Sequence, residues 1–219
     1  MAESYSTLSL GTRQDAATWE RGCGSIGLTI SSSIRKSSPS IAEMKAFFSS
    51  SASWIYFGGH FSGMRLYNED STASVTFERT QVTLTSGGTS AVVQQGSSDF
   101  NLHVSSRVIL WGGCSVCSAQ NTMQTMRSLF GKHVLLGFAG LTGWRMVDAM
   151  LGGGFLKNHL FTRVKATSTA PADVVQAWMG AAKAGYGGGE NEVKFRAVDW
   201  DGQEWKLEGN KIIKGRMIG

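Results

Sequence analysis

The stretch Arg107-Val108-Ile109-Leu110-Trp111-Gly112-Gly113-Cys114-Ser115-Val116-Cys117-Ser118-Ala119-Gln120 decides how the rest of the chain is read. Val108 to Trp111 are continuously apolar, the pattern of a strand buried on both faces of a parallel sheet. Two glycines stop the run and a cysteine follows at once. Met123, Met126, Leu129 and Phe130 then recur at helical spacing, with Gly131 where a helix C-cap belongs. Cys114 therefore falls on the turn between a strand's carboxyl end and the next helix, where open α/β sheets gather reactive groups. A second stretch, Ser53-Trp54-Ile55-Tyr56-Phe57-Gly58-Gly59-His60-Phe61-Ser62-Gly63, repeats the order with histidine in place of cysteine. Two neighbouring parallel strands would deliver His60 and Cys114 to one sheet edge, and the glycines predict close approach of a ligand to the backbone.

Working outward, Ser40-Ile-Ala-Glu43 matches a capping box, and Ile41, Met44, Phe47 and Phe48 give the helix after it an apolar face. Tyr5 to Leu10 alternates weakly, like an edge strand, Gly27 to Ser31 is a second strand candidate, and Ser31 to Ser40 reads as a loop. Between the two glycine turns, Val75, Phe77, Val82, Leu84 and Ala91-Val-Val are β-type runs, with Ser86-Gly-Gly-Thr between the later ones. They predict a hairpin inserted over one end of the sheet. His133 to Gly140 is a further buried strand. Thr142 would cap a helix carrying Trp144, Met146, Val147 and Met150, broken at Gly152-Gly-Gly154 and resumed from Phe155 to Phe161. Pro171 opens another helix, with Val174, Val175, Trp178, Met179 and Ala182 as its apolar stripe. Gly187 to Gly189 ends it, and Val193 to Leu207 predicts a hairpin about Asp201-Gly202. The expected architecture is one α/β domain over residues 1–219, with a mostly parallel central sheet flanked by helices. Strands and a loop would occupy 1–39, the core bearing the two key turns 40–150, and a C-terminal hairpin 190–219.

Composition narrows the function classes. The chain has 219 residues, enough for a substantial core, and 42% hydrophobic content, too high for disorder. It has no apolar run of membrane-spanning length. The net charge of +5, from 21 basic and 16 acidic residues, comes without a Lys/Arg cluster, so neither nucleic acid nor membrane is expected as a partner. Three cysteines at uneven spacing do not form a disulfide framework. Together with a start, Met-Ala-Glu-Ser-Tyr-Ser, that is unlike a secretory signal, they point to the cytoplasm.

Cys114 and His60 suit nucleophilic catalysis, in which an imidazole takes the thiol proton and later protonates the leaving group. A helix N-terminus behind Cys114 would favour the thiolate and offer N–H groups to an oxyanion. Strand–His followed 54 residues later by strand–Cys, in Trp54-Ile-Tyr-Phe-Gly-Gly-His60 and Val108-Ile-Leu-Trp-Gly-Gly-Cys114, resembles the caspase-like cysteine peptidases. That superfamily holds caspases, metacaspases, gingipains, legumain and separase. With the strand Val134 to Ala139, the resemblance covers residues 40–150. It implies a caspase-like fold and a Cys–His dyad acting on protein or peptide, with His60 as base and Cys114 as nucleophile. It implies an oxyanion hole from the Cys114 amide and an amide beside His60, drawn from the backbone of Gly59, Phe61 and Gly113. Because such a dyad activates its own nucleophile, no cofactor and no metal is expected. The family usually has glycine directly after its histidine, whereas here Phe61 follows and Gly63 comes later.

The resemblance places the substrate pocket between the residues before the cysteine and the loop after the next strand, here Gly140, Thr142 and Trp144. These positions carry no charge, which predicts a small or apolar side chain packed against Trp144 and no strict basic preference. Three other readings compete. Cys114 and Cys117 have the C-x-x-C spacing of thiol–disulfide proteins, although Pro39 and Pro171 stand where neither supplies the cis-proline of the thioredoxin fold. Cys23, Cys114 and Cys117 with a histidine would make a zinc site, but the usual paired ligand spacing is missing. A non-catalytic interaction module on the caspase-like fold is the third.

Overall fold

The computed structural model describes residues 3–11, 14–113, 116–139, 150–186 and 194–219. Its centre is an eight-stranded mixed sheet ordered β13-β12-β11-β10-β9-β3-β1-β2. Strands β1 (Ser4–Ser9), β2 (Thr29–Arg35), β3 (Trp54–Gly58), β9 (Val108–Gly112) and β10 (Val134–Ala139) run parallel. Strands β11 (Lys194–Val198), β12 (Gln203–Glu208) and β13 (Lys211–Met217) continue it antiparallel.

Strands β3, β9 and β10 are buried at every residue because both faces of the sheet are covered. Alternate side chains divide between two cores. Trp54, Tyr56, Val108, Leu110, Leu136 and Phe138 join one core with residues of helices α1 (Gln14–Ser25), α5 (Leu151–Phe161) and α7 (Pro171–Tyr186). Ile55, Phe57, Ile109, Trp111 and Leu135 join the other, with α2 (Ile41–Phe48) and α4 (Gln120–Phe130). The capping box at Ser40 forms as read: its hydroxyl accepts from the Glu43 amide, and the Glu43 carboxylate accepts from the Ser40 amide. Gly131 closes α4 with a positive φ of 70°. The α7 stripe is buried as expected, and Trp178 Nε1 donates to the Arg196 carbonyl at 3.0 Å, tying α7 to β11.

The N-terminal third differs from the sequence reading. Strand β1 is internal, between β2 and β3, and fills three of its five buried positions with small hydroxyl residues, Ser6, Thr7 and Ser9. Strand β2 takes the sheet edge and runs through half of the serine-rich loop expected at 31–40. Helix α1 was not anticipated. Its contact surface rests on Trp19, packed within 6 Å of Trp54, Tyr56 and Phe161, and otherwise on small residues such as Ala16, Gly22 and Cys23. So few large apolar residues give a weak helical period.

The inserted hairpin is in fact a five-stranded antiparallel sheet, β4-β5-β6-β7-β8. Its strands are β4 (His60–Ser62), β5 (Arg65–Tyr67), β6 (Ala73–Phe77), β7 (Gln81–Ser86) and β8 (Thr89–Gln94). Two of its turns place positive φ at both central residues, Gly63-Met64 (54° and 66°) and Gly87-Gly88 (56° and 80°), as two-residue hairpins require. Phe61, Leu66, Val75, Phe77 and Leu84 press the insert into the second core. The C-terminal hairpin likewise gains a third strand, β13, and its turn spans Asp199 to Gly202, where Asp199 Oδ1 accepts from the amides of Asp201 and Gln203. Gly154, at φ 132°, interrupts α5 as the glycine run predicts. The helix expected from Thr142 and the break at Gly187 to Gly189 fall outside the described residues.

Candidate active site

Strands β3 and β9 are hydrogen-bonded neighbours in one register, with Trp54 opposite Val108 and Gly58 opposite Gly112. His60 and Cys114 are each two residues past that last pair, so the chain brings both turns to one corner of the sheet. Cys114 itself lies outside the described residues, as do Gly140, Thr142 and Trp144. Gly113, the residue bonded to Cys114, is described and touches the other turn. A β-carbon on it would lie 3.1 Å from the Gly59 carbonyl oxygen and 3.2 Å from Phe61 Cβ.

Each glycine pair divides its work between two positions. A β-carbon at Gly112 would lie 1.9 Å from Tyr56 Oη and 3.0 Å from an Asp15 carboxylate oxygen. One at Gly58 would lie 2.8 Å from the Tyr56 ring and 2.9 Å from Ser9 Oγ. The first glycine of each pair thus makes room for the buried Tyr56 beneath the corner, with the Asp15 carboxylate beside Gly112 and the Ser9 hydroxyl beside Gly58. The second lets the two turns meet. The sequence reading reserved this space for a ligand, whereas the protein's own side chains fill it. Asp15, fully buried with its Oδ1 accepting from the Ala16 amide at 2.7 Å, went unremarked because nothing near it in the sequence marks it. Tyr56 is two residues from Gly58, a spacing that in a strand places it on the same face.

Gly59 turns the chain out of the parallel sheet with φ 149°, and His60 begins β4 of the insert. The half-buried imidazole stacks on Tyr67, its ladder partner, at 5.3 Å and 20°. Phe61, which stands where the family places glycine, is buried edge-on against Trp111 at 5.1 Å, and Trp111 stacks on Phe57 at 4.4 Å. These rings lock the histidine's strand to the cysteine's strand.

Cys117 is a different kind of thiol. It lies in a turn ahead of α4, not within the helix, and its amide donates to the Phe138 carbonyl at 2.9 Å. Burial pushes the thiol up to about 12, with Arg196 opposing and Glu204 adding to the shift. Because α4 begins at Gln120, five residues separate Cys114 from the helix, and its N-terminus does not directly follow the cysteine. Cys23 is also fully buried, but in the core with Trp19 and Trp54, on the sheet face opposite Cys117. A zinc site using both is therefore excluded. Among the described residues no three His, Cys, Asp or Glu side chains cluster to hold a metal. His133 is wholly buried, held to the Gly131 carbonyl through Nδ1 at 2.8 Å, with its pKa lowered by burial to about 4.

No protein-family profile, curated protein or solved structure matches this chain. Fold and site together define a mixed α/β protein whose parallel strands bring a histidine turn and a cysteine turn to one sheet corner. No helix among the described residues is long and apolar enough to cross a membrane.

Proposed function

We propose that the chain is a cysteine peptidase of caspase-like fold, with Cys114 as nucleophile and His60 as general base. The observation that carries this reading is the Gly58–Gly112 register, together with the contact of Gly113 against Gly59 and Phe61. In this reading the imidazole takes the Cys114 thiol proton, and the thiolate attacks the peptide carbonyl. Backbone N–H groups around residues 59–61 and 113–114 stabilise the oxyanion. His60 then protonates the departing amine, and water hydrolyses the thioester.

Intact-mass labelling with a peptidyl electrophile tests the proposal. One adduct is expected, mapped to Cys114, absent in Cys114→Ala and strongly slowed in His60→Ala. Labelling that persists in Cys114→Ala, or a purified protein whose activity depends on stoichiometric zinc, would overturn it.

A further inference from the structure

Helix α1 faces α5 and its continuation α6 (Thr162–Ala166) across a cleft of about 370 Å³, on the sheet face opposite Cys117. The floor is apolar and tight: a β-carbon at Gly22 would lie 2.1 Å from the Phe161 ring. Around it stand three cations, Arg21 from α1 and Lys157 and Lys165 from the facing wall, and no carboxylate lines the cleft among the described residues. That wall is free of acid along its whole length, since residues 151–166 include Lys157, Arg163 and Lys165 but neither Asp nor Glu. Glu20, next to Arg21 in sequence, is drawn the other way, to Arg35 at 3.5 Å and the Ser33 hydroxyl. Arg21 is oriented by a neutral acceptor instead: its Nη2 donates to Thr18 Oγ1 at 2.9 Å, one turn back. The hydroxyl protons of the cleft are already used. Thr18 Oγ1 donates to the Gln14 carbonyl, Ser25 Oγ to the Gly22 carbonyl and Thr162 Oγ1 to the Lys157 carbonyl. The donors that remain are the guanidinium, the two ammonium groups and the Asn158 amide.

A cleft walled by one sign of charge concentrates the opposite sign. An oriented guanidinium facing two ammonium groups suits a dianion with several acceptor oxygens, which is a phosphate. The volume falls in the range of small-molecule pockets, and the floor offers contact to an organic body as well as to the charge. We propose that the cleft between α1 and α5–α6 binds a soluble phosphomonoester, with its phosphate held by Arg21, Lys157 and Lys165 and its body set against Phe161 and Gly22. None of these residues belongs to the His60 or Cys114 turn, so the site goes beyond the peptidase reading and does not depend on it.

Titration calorimetry at low ionic strength tests this with phenyl phosphate, benzoate and phenol, three probes that share one ring. Phenyl phosphate should bind about tenfold more tightly than benzoate, and phenol should not bind measurably. Arg21→Gln should weaken phenyl phosphate by about tenfold, the scale of one charge-assisted contact, and Lys157→Gln with Lys165→Gln should remove the binding. Lys211→Gln, which deletes a cation of β13 far from the cleft, should change nothing. Thermal melting confirms that each variant folds. No binding of phenyl phosphate, equal affinity for benzoate, or an equal loss in Lys211→Gln would overturn the site. Sedimentation with vesicles of phosphatidic acid and phosphatidylcholine is the second arm. Vesicle binding that needs Arg21 while phenyl phosphate does not bind would assign the cations to a lipid surface and overturn the soluble ligand.

Discussion

The turns Gly58-Gly59-His60 and Gly112-Gly113-Cys114 are written in almost the same residues and are held by different means. The first leaves the parallel sheet at once. Gly59 adopts a backbone that other residues rarely take, and the next three residues join the antiparallel insert through ladder pairing. The second sits over a buried support, with the Tyr56 hydroxyl and the Asp15 carboxylate pressed against Gly112. A repeated motif can therefore share one buried support, Tyr56, and still send its two chains in different directions. The histidine is placed by sheet-to-sheet packing, and Gly112 lies over a buried tyrosine and carboxylate.

The largest effects should separate the histidines. His60→Ala should lower peptidase turnover by roughly a hundredfold or more, as loss of a general base does, while unfolding at an unchanged denaturant midpoint. Cys114→Ala should abolish turnover. His133→Gln should leave most of the activity and reduce stability at neutral pH. Steady-state assays paired with urea unfolding read both quantities, and a His133 variant that lost activity without losing stability would break the comparison.

Acid should act next, through His133 and not through either turn. Its folded pKa of about 4 lies below the ordinary 6.5, so the folded state disfavours the charged form. Stability is complete above pH 6.5 and falls as pH drops from there toward 4, because the unfolded chain takes up a proton that the core excludes. The full difference is on the order of 3 kcal/mol. Unfolding free energies at pH 7 and 4.5 should show this decline in the wild type and a flatter profile in His133→Gln.

Gly112→Ala should destabilise by about 2 kcal/mol through overpacking against Tyr56 Oη, and Tyr56→Phe in the same chain should relieve part of that loss. Gly113→Ala meets only contacts of 3.1 Å and longer, so it should cost less stability and fall mainly on activity. A double-mutant cycle by urea unfolding gives the coupling, and strict additivity would show that Tyr56 is not the obstacle. Smallest of all, Cys117→Ala should cost about 1 kcal/mol and leave most of the peptidase activity, since a buried thiol behaves as a small apolar group. Equal activity losses in Cys114→Ala and Cys117→Ala would restore the redox reading.

What the sequence revealed follows the strength of its periodic signals. Strands β3, β9 and β10 are uninterrupted apolar runs, so the sheet's centre and the corner they define were legible from residue type alone. The capping box at Ser40 and the stripe along α7 were equally clear. Helix α1 was not, and strand β1 was read as a strand but at the edge of the sheet instead of inside it, because both bury hydroxyl residues and α1 also buries a glycine and Asp15, residues that look solvent-exposed in one dimension. The insert was read too small. Its three polar edge residues, His60, Ser62 and Arg65, hide two strands of only three residues each.

The insert also governs how the corner comes together in time. Trp54 and Val108 are ladder partners separated by 54 positions along the chain, and closing that loop as flexible polymer carries an entropic penalty that grows with its length. Residues 60–94 shorten the effective path, because each strand of the insert pairs with the one before it across a brief turn. Such hairpins form within microseconds, ahead of pairing between distant segments. A region that in the peptidase reading supplies only His60 and a backbone amide beside it thus acts as an assembly jig for the two central strands, and its local turns set the pace at which the corner closes.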